Sequence, residues 1–154
     1  MTAHLAGRLA DRGSEPLGDR CPINVAMQAV GTRSAVLLLR EAYYGATRFD
    51  DFVDRTGLTE ATTAGRLKSL VEVGVLTKVP YQEPGQRRRF EYHLTASGTD
   101  LMPVVFGLAQ WSNRHQPAAQ TITLSHDDCG KPVEIVAECT DGHHLAVDQL
   151  TVTA

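Results

Sequence analysis

Between Thr47 and Gly74 the chain runs TRFDDFVDRTGLTEATTAGRLKSLVEVG, and this stretch restricts the fold more tightly than any other. It reads as two helices joined by a tight turn. Thr47 and Asp50 form an S/T-x-x-D/E start signal, in which a hydroxyl caps backbone N–H groups and a carboxylate sits at the positive helix end. Phe49, Phe52 and Val53 then fall on one face at helical spacing, and Gly57 ends the first helix. The turn is Gly57-Leu58-Thr59, with Thr59 as the cap of a second helix that stops at Gly74. In that helix Ala64, Leu67, Leu70 and Val71 are expected to face inward, which turns Thr62, Thr63, Arg66 and Ser69 outward. Hydroxyls and a guanidinium on a slim outward face can bond base edges and phosphates in a major groove, where bulky apolar groups would block approach. A solvated helix surface carries the same residue types.

Charge bears directly on a nucleic-acid partner. The formal net charge is −3, which by itself speaks against one. Its distribution is uneven: residues 1–117 hold 14 Lys+Arg against 12 Asp+Glu, and residues 118–154 hold 1 against 6. The acidity is therefore concentrated in the C-terminal piece, and a local basic surface remains available to the first. With 154 residues, 42% of them hydrophobic, the chain is long enough for one globular domain plus a small appendage. No apolar run approaches a membrane span, and the first twenty residues, with Arg8, Arg12 and Arg20 among scattered Leu and Ala, lack a secretory signal. A cytoplasmic protein with no membrane partner is expected. Three cysteines, an odd number, argue against a disulfide framework.

Taken in order, residues 1–20 read as a flexible arm, with Leu5 and Leu9 at helical spacing and Gly13, Pro16 and Gly18 as breakers. Cys21-Pro22 opens a helix carrying Ile23, Ala26, Met27 and Val30, closed by Gly31. Thr32 caps the next, whose centre from Ala35 to Leu39 is apolar on nearly every side and so buried, and Gly45 ends it. Beyond Gly74, residues Val75–Tyr81 and Phe90–Leu94 are strand-like and flank Gln82–Arg89, which contains Pro84-Gly85 and the run Arg87-Arg88-Arg89. This is a hairpin with a charged tip, a wing if it lies along a duplex and a solvated arginine run if it does not. Thr95 caps a long helix over Ala96–Arg114, in which Pro103 lies early and Leu101, Val104, Val105, Leu108 and Trp111 form one stripe. An apolar stripe left over once the core is filled suits a second copy of itself. Pro117 marks a boundary, and Ile122–Ser125, Val133–Glu138 and Leu145–Val152 look like three short strands with little core of their own.

These residues together resemble a known family. Cys21-Pro-Ile, Gly31-Thr-Arg33 before Leu-Leu-Leu-Arg40-Glu41, Arg48-Phe49, Gly57-Leu-Thr59, Arg66-Leu67 to Gly74-Val-Leu76, Tyr92-His-Leu94-Thr95, and Leu101-Met-Pro103-Val104 with Trp111 are similar in order and spacing to the HxlR family of bacterial winged-helix regulators. The likeness spans about residues 21–116. It implies a mainly α (α+β) winged helix-turn-helix over 21–117, with a long C-terminal dimerisation helix, and leaves 118–154 as a small β-rich, zinc-ribbon-like extension. It further implies a cytoplasmic homodimer that represses or activates nearby genes; two reading helices in a dimer lead to the expectation of a pseudo-palindromic double-stranded DNA operator, with repression the expected mode. Carried over, it points to Thr59, Thr62, Thr63 and Arg66 for groove contact and to Arg48, Arg87, Arg88 and Arg89 for phosphates, while Ser69 joins the DNA-binding candidates from the outward face of the helix. Ile23, Met27, Leu101, Val104, Val105, Leu108 and Trp111 are the dimerisation candidates. Ser34 stands where the family usually has tryptophan, a departure that touches packing near the dimer core and not the reading helix.

Two further sets of residues carry chemistry. Cys21 precedes a helix start, where the macrodipole favours a thiolate, and some members of the resembled family sense oxidants through a cysteine there; a small half-buried residue fits the same place. His126-x2-Cys129 and Cys139-x3-His143 have spacings that suggest two zinc knuckles, His143 serving because position 142 is Gly; the alternative is a degenerate ribbon that has lost its metal and packs on the dimer instead. A small-molecule effector between dimer helices, lined by Val104, Leu108 and Trp111, is a further expectation. The competing function is a protein-interaction or ligand-binding module that keeps the winged-helix scaffold without reading an operator. No P-loop, dinucleotide-binding glycine set, HExxH or nucleophile elbow supports an enzyme.

Overall fold

The computed structural model describes residues 4–11, 13, 14, 16, 18–116 and 120–154. The described chain separates into two compact units, one of residues 19–108 and one of the described residues within 1–18 together with 109–154.

In the first unit, α1 (Pro22–Val30), α2 (Arg33–Tyr43), α3 (Phe49–Thr56) and α4 (Glu60–Glu72) precede the antiparallel pair β2 (Leu76–Tyr81) and β3 (Arg89–Leu94), then α5 (Ala96–Asp100) and the start of α6 (Met102–His115). Proline opens α1 at its first position, and Thr32 caps α2 by accepting the Ala35 N–H at 3.2 Å. Ala35, Leu38 and Leu39 of α2 are buried with Phe52 of α3, Leu67 and Leu70 of α4, Val75, Leu76, Met102 and Phe106. These apolar groups make one core, and their removal from water is the main force holding α3 and α4 in place. The aromatic rings of Phe52 and Tyr92 meet edge to face at 6.2 Å, which ties α3 to the hairpin.

The expected Thr47 cap is corrected: Arg48 is the N-cap of α3 and makes no side-chain cap bond. Thr47 instead gives its carbonyl to the Tyr92 N–H at 2.8 Å, and Arg48 bridges Glu91, so the segment before α3 is held extended along β3. Gly57, at φ 65°, and Thr59, which accepts the Thr62 N–H at 3.2 Å, end and begin the helices as expected. The single helix expected over Ala96–Arg114 is also corrected. It breaks at Leu101, because Pro103 has no N–H for the Thr99 carbonyl and its ring would crowd that oxygen. Pro103 is then the second residue of α6, where no N–H is needed. Gly98 of α5 lies so close to the 74–76 corner that a Cβ there would stand 2.1 Å from the Val75 oxygen.

In the second unit, β1 (His4–Ala6) pairs in parallel with β6 (Thr151–Thr153), and β4 (Ala137–Glu138) pairs antiparallel with β5 (His144–Leu145). The flexible arm expected over 1–20 is therefore corrected in part. Leu5 and Leu9 do not share a helix, since Gly7 turns the chain at φ 58° and the Arg8 N–H reaches the Ala154 carbonyl at 3.1 Å. Arg12 and the boundary residue Pro117 lie outside the described residues. The three strands expected beyond it are shorter than read, with only an isolated bridge, Ser125 to Pro132, where the first was placed. Two amides on the second half of α6 hold this extension by its backbone: Gln110 bonds Val133 O at 2.8 Å and Ile135 N at 2.9 Å, and Asn113 bonds Ile122 O at 2.7 Å and Ile122 N at 3.2 Å. Among the described residues no helix is long and apolar enough to cross a membrane.

Candidate nucleic-acid interface

The helix α4 is the second of the helix-turn-helix pair, and its rotation decides which residues can meet a ligand. Thr63, Leu67 and Leu70 are each fully buried, a line at i, i+4, i+7. Thr63 is thus corrected as a groove contact: it faces the core, and its buried hydroxyl has no hydrogen-bond partner among the described residues. Ala64, expected inside, is exposed. The open face includes Glu60, Ala61, Thr62, Ala64, Gly65 and Lys68, with Ser69 half-buried beside it. Ala61 and Gly65 escape a reading that searches for polar side chains, yet small residues let a helix backbone approach a groove closely. Thr59 donates its hydroxyl to Thr62 Oγ1 at 2.9 Å, and the Ser69 hydroxyl donates to the Gly65 carbonyl at 3.1 Å. Arg66 is half-buried, with its Nε buried and unpartnered.

The hairpin holds its basic residues in two states. Arg89 is not at the tip but in β3, opposite Tyr81, and its guanidinium pairs with Asp50 at 3.4 Å. Arg48 lies at 3.1 Å from Glu83 and 3.7 Å from Glu91, and stacks over the Tyr81 ring at 4.8 Å. The negative charge that Tyr81 takes on when it ionises at high pH, followed by those of Glu83 and Glu91, holds the Arg48 guanidinium above its ordinary range. Arg87 and Arg88, by contrast, are exposed and have no carboxylate partner within 4.0 Å among the described residues. The tip turns at Gly85, φ 75°, and the Gln86 N–H donates to the Glu83 carbonyl at 3.0 Å. Lys78 was not singled out from the sequence; the strand register places it opposite Tyr92, and its ammonium lies 3.9 Å from the Phe90 ring centre. Two cavities of about 290 and 260 Å³ lie at this hairpin root, sharing Arg48, Tyr81 and Arg89 as walls.

The dimerisation candidates separate by exposure. Ile23 and Met27 are 75% and 55% exposed, and no residue of α1 is buried. On α6, Val104, Leu108 and Trp111 are 62%, 53% and 54% exposed, while Leu101 and Val105 are half-buried.

Cys21 is half-buried at the start of α1 and gives no cap bond. A zinc ion needs its donors gathered about one point. Here His126 Nδ1 lies 3.2 Å from Cys129 Sγ, and His143 Nδ1 lies 3.4 Å from Cys139 Sγ. Backbone N–H groups of His143, then of Asp141, hold the Cys139 thiol below its ordinary range. Yet among the described residues no three His, Cys, Asp or Glu side chains converge, so His126, Cys129, Cys139 and His143 stand as two pairs and do not fit a four-ligand site.

Comparison with known proteins agrees with this geometry. A family model described as HxlR-like helix-turn-helix matches residues 29–120. An uncharacterised HTH-type transcriptional regulator of Mycobacterium tuberculosis (strain ATCC 25618 / H37Rv) is 37% identical over 117 residues, covering 75% of this chain and 73% of that protein. The crystal structure of PA1607, a candidate transcription factor, superposes with a TM-score of 0.76 at 32% identity, covering 88% of this chain and 95% of the other. PA1374 of Pseudomonas aeruginosa, a second candidate transcription factor, gives 0.64 at 34% identity, covering 87% and 92%. The chain belongs to the HxlR-like helix-turn-helix family, and it is a transcriptional regulator of the helix-turn-helix type rather than an enzyme.

Proposed function

We propose that the protein is a homodimer that reads a pseudo-palindromic operator, with α4 in the major groove and the hairpin along the flanking phosphates, and that it represses by occupying promoter DNA. The observation that supports this most strongly is the open face of α4. Glu60, Ala61, Thr62, Ala64, Gly65 and Lys68 are exposed on the helix that follows a helix-turn-helix turn, with small side chains at the centre, and a hairpin with Arg87 and Arg88 exposed comes next. Thr62, Arg66 and Ser69 are the side chains offered to bases or phosphates, and Thr59 serves as cap. A dimer is supported by α1, none of whose residues is buried, and by the exposed apolar groups of α6. Two-fold symmetry then sets half-sites about 34–36 Å apart.

Cys21 is the residue through which thiol oxidation would gate binding, because it opens the helix proposed to meet the second protomer. Diamide treatment that leaves DNA affinity unchanged removes this role.

Selection of duplexes from a random pool by the purified chain tests the whole reading. An inverted repeat with centres one helical turn apart is the expected outcome. Enrichment of a lone half-site defeats the dimer, and no enrichment over input, with weak binding that ignores sequence, favours an interaction module instead.

A further inference from the structure

The hairpin root contains a charge arrangement that operator reading by itself does not explain. The cavity of about 260 Å³ is lined by Arg48, Tyr81, Glu83, Gln86, Arg87 and Arg89. Three arginines therefore line a cavity that holds one carboxylate, the Arg89 guanidinium itself pairing with Asp50 at 3.4 Å. That carboxylate, Glu83, lies 3.1 Å from Arg48, and both side chains are about half exposed, at 53% and 48%. Arg48 is held from beneath by the Tyr81 ring and is bonded more loosely to Glu91, at 3.7 Å, so it keeps its place without Glu83. Glu83 sits on the turn that Gly85 closes, while Arg87, two residues past that glycine, has no carboxylate partner of its own among the described residues. An exposed ion pair in water is worth little, so a third charged group of suitable geometry can exchange with either member.

We propose that Glu83 is a resident counter-ion for Arg48, displaced by a DNA backbone phosphate when the hairpin meets a duplex, so that Glu83 sets the affinity and salt dependence of binding. The proposal rests on the DNA-binding reading above. A phosphodiester in the cavity can take the Arg48 fork, which bonds phosphate as readily as carboxylate, beside Arg87, which also lines it. The released Glu83 is left beside a polyanion, so every bound complex carries that repulsion. Glu83 thus weakens binding to all duplexes alike and limits retention on non-specific DNA.

The test is a double-mutant cycle on the full chain, with the duplex selected from the random pool titrated at several salt concentrations. Glu83→Gln is expected to tighten binding about two- to five-fold at low salt, the scale of one exposed ion pair, with the gain shrinking as salt rises. In an Arg48→Gln background the same change is expected to gain less than two-fold. An equal gain in both backgrounds means simple repulsion of DNA by a carboxylate and overturns the exchange. A loss of affinity with Glu83→Gln, with or without a lowered melting temperature, means that Glu83 orders the turn in the complex and overturns it as well. Salt elution from immobilised heparin supplies an arm that needs no operator. If the chain selects no duplex but Glu83→Gln elutes later than the parent only when Arg48 is present, operator reading has failed and counter-ion exchange stands. If duplex selection succeeds and Arg87→Ala weakens binding while neither arm responds to Glu83, the exchange alone has failed.

Discussion

Replacing Thr63 by valine separates a core residue from a groove residue on the same turn of α4. The Thr63 side chain is fully buried and its hydroxyl has no partner among the described residues. A buried hydroxyl left unsatisfied costs about 1–3 kcal/mol, which valine removes while keeping the β-branched shape. The added methyl occupies the volume of the oxygen and gains part of the ~0.8 kcal/mol of a buried CH₂ group. Against this stands some strain, because a methyl is slightly wider than a hydroxyl in a packed core. The balance is a stabilisation of ~1–2 kcal/mol, and at about 2–4 °C per kcal/mol for a chain of this size it appears as a higher melting temperature. Urea unfolding of the parent and Thr63→Val proteins measures the change, provided the m-values agree. DNA titration is the second readout: affinity should hold within two-fold for Thr63→Val and fall for Thr62→Val, whose hydroxyl is on the open face. Destabilisation by Thr63→Val, or a loss of affinity matching that of Thr62→Val, would refute the burial of Thr63 and with it the rotation assigned to α4.

Three further outcomes are expected. Gly98→Ala forces a methyl against the Val75 carbonyl and should destabilise by roughly 2–4 kcal/mol, an overpacking cost in a backbone contact with little room to relax; thermal unfolding reads it, and a neutral result would mean the 74–76 corner is looser than described. Leu108→Asp removes an apolar group worth about 1.5–3 kcal/mol when covered, twice in a two-fold dimer, so the dimer dissociation constant should rise by roughly 10²- to 10⁴-fold, visible by light scattering across concentrations; an unchanged mass would take α6 out of the dimer. Protein purified without added metal should contain zinc well below one equivalent per chain, because His126–Cys129 and Cys139–His143 stand as separate pairs; stoichiometric zinc by elemental analysis would show that the two pairs come together about an ion.

What the amino-acid order determined by itself was whatever depends on near neighbours along the chain. Thr32, Thr59 and Thr95 cap helices because a hydroxyl reaches an N–H three residues on, and Gly57 ends α3 because it accepts φ 65° without strain. Pro84-Gly85 turns the hairpin, and the Leu-rich centre of α2 is buried, as their patterns require. The order of elements, and with it the family, followed from these local signals. Tertiary structure decided what depends on rotation and on distant partners. Thr63 and Ala64 are both compatible with a stripe through Leu67 and Leu70; the line of closest packing chose Thr63, against the polarity of the two side chains. The run Arg87-Arg88-Arg89 looks uniform in one dimension, but strand register turns Arg89 to Asp50 and Arg48 is met by Glu83, carboxylates 39 and 35 positions away. His4–Ala6 becomes a strand because Thr151–Thr153 lies beside it, a partner that no local pattern can name. Hydrogen bonding and capping act over a few residues, whereas core packing and charge pairing are settled only when remote segments meet, and the open face of α4 and the paired arginines belong to that second kind.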